Sequence, residues 1–153
     1  FLLRDDIETI HAATDLLAEA KLSPELRNEA LYYRAKAYAK QKADKKALED
    51  YRELAKDTRN SYGAEAKYQV AQSLYDAKEY AAAEKELLNY IEQSTPHAYW
   101  LARSFVLLSD VYHATGKDLD ARQYLLSLQQ NYQGNDDIQS MIESRLHKLK
   151  VEN

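Results

Sequence analysis

The chain has 153 residues, 21 basic and 25 acidic side chains and a net charge of -4; 45% of its residues are apolar and 30% charged, which excludes a disordered chain. It has no cysteine, so disulfides, iron–sulfur clusters, thiolate zinc sites and thiol nucleophiles are excluded too. Three glycines and two prolines are too few for the frequent turns of a many-stranded β fold. Helical periodicity then predicts helices over 4–21, 24–41, 44–58, 62–77, 79–93, 96–115, 118–132 and 136–149. The first has apolar positions at Leu3, Ile7, Ile10, Ala13 and Leu17. Ser23-Pro24 reads as an N-cap followed by proline in the first turn, and Thr95-Pro96 repeats that signature. Asn60 and Ser61 can cap a start, with Gly63 in its first turn. Gly116 and Gly134 follow apolar-periodic segments, as left-handed C-terminal residues would. The last helix carries Ile138, Met141, Ile142, Leu146 and Leu149. Asn135 is its expected N-cap, Asp136 and Asp137 suit its N-terminal dipole, and Lys148 and Lys150 its C-terminal one.

Neither half of the chain is basic. Residues 1–76 hold 13 basic and 14 acidic side chains, and residues 77–153 hold 8 and 11. A nucleic-acid role is therefore not expected. No run approaches the roughly 18 apolar residues of a membrane-spanning helix. The chain shows no signal-peptide pattern and begins at Phe1, which suggests a processed product or an excised piece.

The chain repeats internally. Ala47, Ala83 and Ala121 stand 36 and 38 residues apart, and twelve residues before each lies another small residue: Ala35, Ala71 and Ser109. Three residues after these come Tyr38, Leu74 and Tyr112. Four after the alanines come Tyr51, Leu87 and Leu125, and three further on Leu54, Tyr90 and Leu128. Antiparallel helices approach closely only at small side chains, and large apolar ones a turn away fill the space beside them.

These columns resemble the tetratricopeptide repeat (TPR). Repeats would span 28–63, 64–101 and 102–135, with 1–23 as the second helix of a truncated repeat and 136–153 as a C-terminal capping helix, all in one domain. The middle copy is the clearest, with Ala71, Leu74, Tyr75, Lys78-Glu79-Tyr80, Ala83, Leu87 and Pro96. The spacing is longer than the usual TPR period, and Leu54, Tyr90 and Leu128 replace the usual alanine. In this the chain is similar to the degenerate, long TPR domains of Gram-negative cell-envelope proteins, of the outer-membrane-assembly lipoprotein and cell-division coordinator types. The resemblance implies an all-α fold, a right-handed superhelical α-α solenoid of about three hairpins with an extra helix at each end. It also implies a non-enzymatic scaffold that binds a protein or peptide on its concave face. A periplasmic or outer-membrane-associated setting is favoured over a cytoplasmic one. The alternative is an assembly module docking through its end helices. No cofactor is expected. The N-terminal helix, lacking its partner, should expose an apolar stripe and promote self-association.

Catalytic signals are weak. His11, His97, His113 and His147 form no zinc-pair spacing. Asp110 and His113 are one helical turn apart and could share a metal or a proton, or make an ordinary surface hydrogen bond. The serines, Ser94 among them, sit in no nucleophile-elbow pattern, and the isolated glycines make no phosphate loop. Tyrosine is the unusual residue, with 13 copies against two phenylalanines and one tryptophan. Carried over residue by residue, the concave face implied by the resemblance holds Glu29, Tyr32, Lys36, Ala39 and Lys40 in the first repeat. It holds Glu65, Tyr68, Gln72, Tyr75 and Asp76 in the second, and Arg103, Val106, Asp110, His113 and Ala114 in the third. Tyr32, Tyr68 and Tyr75 would be exposed aromatic anchors, as recognition surfaces use, or would simply cover a helix face. Glu29 and Glu65 oppose the basic clamp that grips peptide C-termini in the best-known TPR grooves.

Overall fold

The computed structural model describes residues 2–93 and 95–151, with side chains from 5 onward to 149, Ser94 excepted. Leu3, Ser94 and Lys150, named above, fall outside the described side chains. Eight helices make up the described chain: α1 (Leu2–Leu17), α2 (Pro24–Lys40), α3 (Asp44–Leu54), α4 (Ser61–Asp76), α5 (Tyr80–Glu92), α6 (Ala98–Ala114), α7 (Asp118–Asn131) and α8 (Ile138–Val151). No strand occurs among the described residues. The helices form two compact units, one ending at Val70 and one starting at Ala71, so that the division falls within α4.

In the first unit α1 packs on α2 and α2 on α3; in the second α5 packs on α6, α6 on α7, and α8 on both α6 and α7. Such sequential hairpins are the packing of an α-solenoid. The small-residue columns explain them. Ala35, Ala71 and Ser109 are at most 1% exposed, and Ala47, Ala83 and Ala121 at most 4%. The large residues beside them (Tyr51, Leu87, Leu125, Leu54, Tyr90 and Leu128) are all buried. Each such side chain contributes about 1.5–3 kcal/mol relative to leaving it in water.

The hairpin turns repeat as well. Lys42 (φ 59°), Lys78 (φ 62°) and Gly116 (φ 78°) adopt the left-handed conformation at the same relative positions. In each turn the next residue's N–H reaches back five residues: Ala43 to Tyr38 O, Glu79 to Leu74 O and Lys117 to Tyr112 O, at 2.7–2.9 Å. This 6→1 bond is the Schellman stop of a helix. Gly116 was expected there. The two lysines were not, because nothing in a lysine announces a left-handed backbone. A side chain at that φ is strained, whereas glycine is not. Lys78→Gly is therefore expected to stabilise the second unit by about 0.5 kcal/mol. Urea unfolding would show this as a raised midpoint, and an unchanged or lowered midpoint would count against the turn geometry.

Other helix ends differ in part from the sequence reading. Ser23 caps α2 as expected, its Oγ accepting from Leu26 N–H at 3.2 Å with Pro24 in the first turn. Pro96, by contrast, precedes α6, which starts at Ala98. Thr95 Oγ1 accepts from His97 N–H at 3.3 Å, a local turn that delays the helix. Gly134 is not left-handed, because α7 leaves through an extended Tyr132 (φ -100°, ψ 128°). Asn135 is not the N-cap of α8: Asp137 holds that position, its carbonyl accepting from Met141 N–H at 3.1 Å, and Asp136 Oδ1 accepts from Ile138 N–H at 3.0 Å. Asn60 does cap α4: its Oδ1 accepts from Gly63 N–H at 2.8 Å, and its Nδ2 donates to Asp57 O at 3.1 Å.

Candidate functional site

In the first unit, α2 spaces Glu29, Tyr32, Lys36 and Lys40 about one turn apart, on one face. Tyr32 Oη donates to Glu65 Oε1 at 2.9 Å, and Lys36 Nζ lies 3.0 Å from Glu65 Oε2. The ammonium also sits 5.0 Å from the Tyr32 ring centroid, a cation–π contact. Tyr62 and Tyr33 flank the same ring at 4.6 and 5.3 Å. Burial works against the Lys36 charge, but its bonds to Tyr32 and Glu65 outweigh burial and hold its pKa above the ordinary value. Burial pushes the nearby Tyr51 hydroxyl up to about 12. Glu65 is only 7% exposed and both its oxygens are engaged, so it fastens α2 to α4 rather than opposing a ligand. Glu29, Ala39 and Lys40 are exposed.

Tyr68 does not serve as the exposed anchor expected of it. It is 5% exposed, one turn beyond Glu65 on the stripe of α4 that meets α2. Its ring is core, and its truncation would report on stability rather than on binding.

In the second unit, Gln72 and Tyr75 of α4 and Asp110 and His113 of α6 line one cavity of about 460 Å³. Its remaining wall is α8, through Ser144, Arg145 and Lys148. Arg145 grips Asp110 with two bonds, Nε to Oδ1 at 3.1 Å and Nη2 to Oδ2 at 3.2 Å. Gln72 Nε2 donates to the exposed Asp76 Oδ1 at 2.9 Å. Burial, reinforced by the charge of Asp110, raises the Tyr75 phenol above its ordinary pKa. The Asp110–His113 pairing considered from the sequence does not form. His113 Nδ1 instead meets Asp118 Oδ1 at 2.9 Å. Among the described residues no cluster of His, Asp and Glu could hold a metal ion.

Two other expected residues lie apart from this cavity. Val106 is 3% exposed, on a helix that α5, α7 and α8 all pack against. Arg103 turns to an aromatic cluster, with Nη1 donating to Tyr99 Oη at 3.0 Å and its guanidinium 5.9 Å from the Trp100 ring. Tyr99 in turn donates to Asp137 Oδ1 at 2.9 Å. Conversely, the α8 side chains in the cavity were missed. Ser144, Arg145 and Lys148 share one face at helical spacing, a signal masked by reading the last helix only as a cap.

A second cavity, about 380 Å³ and mainly apolar, opens between α1 and α2 beside Leu16, Leu26 and Tyr33. Leu26 is 46% and Tyr33 50% exposed, and Ile7 on α1 is 45% exposed. Of the stripe expected on the first helix, Ile7 is exposed, Ile10 and Leu17 are half-buried and Ala13 is buried. Comparison with protein families, curated proteins and solved structures finds no match to this chain. No helix of the described residues is long and apolar enough to cross a membrane.

Proposed function

We propose that the chain is a TPR-like, non-enzymatic interaction scaffold that binds a protein or peptide segment through the exposed faces of α2, α4 and α6, the first helices of its three repeats. The observation that carries this reading is the threefold recurrence of one small-residue and turn pattern. Its buried small residues and its left-handed turns at Lys42, Lys78 and Gly116 recur at the same 36- and 38-residue spacings. A right-handed superhelix and a Gram-negative cell-envelope setting, periplasmic or outer-membrane-associated, rest on the sequence resemblance alone. The polar cavity walled by Gln72, Tyr75, Asp110 and Arg145 supports the reading as a place for a partner's side chains.

Aromatic side chains at such faces carry binding energy. Tyr75→Ala is expected to weaken peptides selected by display against the purified chain by about 2 kcal/mol, with Lys85→Ala on α5 having no effect. Isothermal titration of each variant would measure it. Binders indifferent to Tyr75 but lost with Ile7→Lys would favour the alternative, docking through the end helices. The exposed Ile7, Leu26 and Tyr33 are what recommend that second reading.

A further inference from the structure

Hydrogen-bonding capacity in the second unit's cavity is unbalanced. Among the described residues of its lining Asp110 is the only carboxylate, and both of its oxygens are taken by Arg145. That bidentate grip uses Nε and Nη2 of the guanidinium and leaves Nη1 with no partner among the described residues. Lys148 Nζ, one turn along α8, makes no hydrogen bond or ion pair there either. Tyr75 Oη and Ser144 Oγ likewise keep unused protons. Ser109, at the floor, donates to its own helix at Val106 O, 2.7 Å away, and adds nothing. Asp76, one turn from Gln72 on α4, is held by that residue's amide. Asp110 and Arg145 cancel, so among the described residues Lys148 leaves the lining with one positive charge, in a chain of net charge -4.

A cavity with charged donors to spare and its described carboxylate already paired calls for a ligand group that accepts several hydrogen bonds and carries negative charge. A carboxylate meets both needs, and charge-assisted bonds to guanidinium and ammonium are the strong ones. The volume of about 460 Å³ suits one or two side chains rather than a whole helix. We propose that this cavity receives an aspartate or glutamate side chain from the bound segment, with Lys148 and Arg145 Nη1 as the charged donors and Tyr75 and Ser144 as neutral ones. The inference rests on the scaffold reading and adds the chemistry of the partner: an acidic segment. It also gives α8 a part in recognition, beyond shielding α6 and α7.

The test uses fluorescein-labelled glycine–serine peptides carrying three spaced glutamates, with matched glutamine and lysine versions as controls. Fluorescence anisotropy should show the glutamate peptide binding at least tenfold tighter than either control. Lys148→Glu should cost about tenfold in Kd, Lys148→Arg little, and Tyr75→Phe a smaller amount. Lys148 is exposed and has no partner among the described residues, so Lys148→Glu should leave the unfolding midpoint unchanged; Lys85→Glu controls for net charge. Equal binding of the glutamate and glutamine peptides overturns the proposal, as does a Lys148→Glu variant that binds normally. If display-selected neutral peptides still bind through Tyr75, the scaffold reading survives that result; if no peptide binds, both fall. Inorganic phosphate binding at Lys148 without any glutamate-peptide binding marks a site for small anions and also overturns the proposal.

Discussion

Replacing Gly63 with alanine is expected to destabilise the first unit by about 3 kcal/mol, at the upper end of typical overpacking costs. At Gly63 the start of α4 crosses the end of α3. A Cβ there would stand 2.8 Å from Leu54 O and 2.7 Å from the Asp57 carbonyl carbon, and closer still to Asp57 O. All three are backbone atoms, and Asn60 clamps the same turn from both sides, so no side chain can swing away to relieve the overlap. Gly134→Ala is the matched control. The three atoms nearest its methyl all belong to the Tyr132 side chain, which can move aside at the cost of its hydrogen bond to Asp136. Urea unfolding followed by circular dichroism should separate the two variants clearly. Equal midpoints would mean that the α3–α4 crossing is looser than described.

Arg34→Met should have a comparable effect for a different reason. Asp50 is 4% exposed and depends on one partner. Arg34 Nη2 reaches its Oδ1 at 2.7 Å and Nε its Oδ2 at 2.8 Å, while Nη1 donates to Thr14 Oγ1 at 3.1 Å. The carboxylate holds the guanidinium pKa above its ordinary value, chiefly through these bonds. Removing Arg34 leaves a buried charge without a counter-ion, which costs about 3 kcal/mol or more. Removing both charges costs much less, so Arg34→Met/Asp50→Leu should recover most of the loss. A double-mutant cycle on unfolding free energies measures the coupling. If the double variant is as unstable as the single one, packing rather than charge holds α2 to α3 here.

What the sequence made legible follows from how sharply each position is constrained. Ala83 and Ala121 can be read because only small side chains let two helices touch, and a small residue recurring at fixed spacing is rare by chance. Ser23-Pro24 can be read because its cap chemistry is local. Thr95-Pro96 misleads because proline fits equally well in a first helical turn and in the extended residue before one. Lys42 and Lys78 could not be read, since their conformation is imposed by the Schellman bond and not by the side chain. Tyr68 and Tyr75 show where periodicity stops. Both sit on α4, and spacing assigns them to a helix face without revealing what covers it. α6 makes the same point: it is packed against α5, α7 and α8, so Val106 is covered while Asp110 keeps access to the cavity. The contribution of α8 depends on Arg145 meeting Asp110 from a distant stretch of chain, which no local pattern encodes.

The ion pairs between α2 and α4 and between α6 and α8 have a consequence for assembly. In the first unit the base lies on the earlier helix, Lys36 on α2, and the acid on the later one, Glu65 on α4. In the second unit the order is reversed, with Asp110 on α6 and Arg145 on α8. Similar repeats can exchange partners while a chain folds, and misassembly of this kind is a characteristic failure of repeat proteins. Here the reversal acts as a key. A slipped arrangement with α6 in the place of α2 would set Asp110 against Glu65, and one with α2 in the place of α6 would set Lys36 against Arg145. Each exchange brings like charges together in a half-buried seam, and that repulsion disfavours the slipped arrangement.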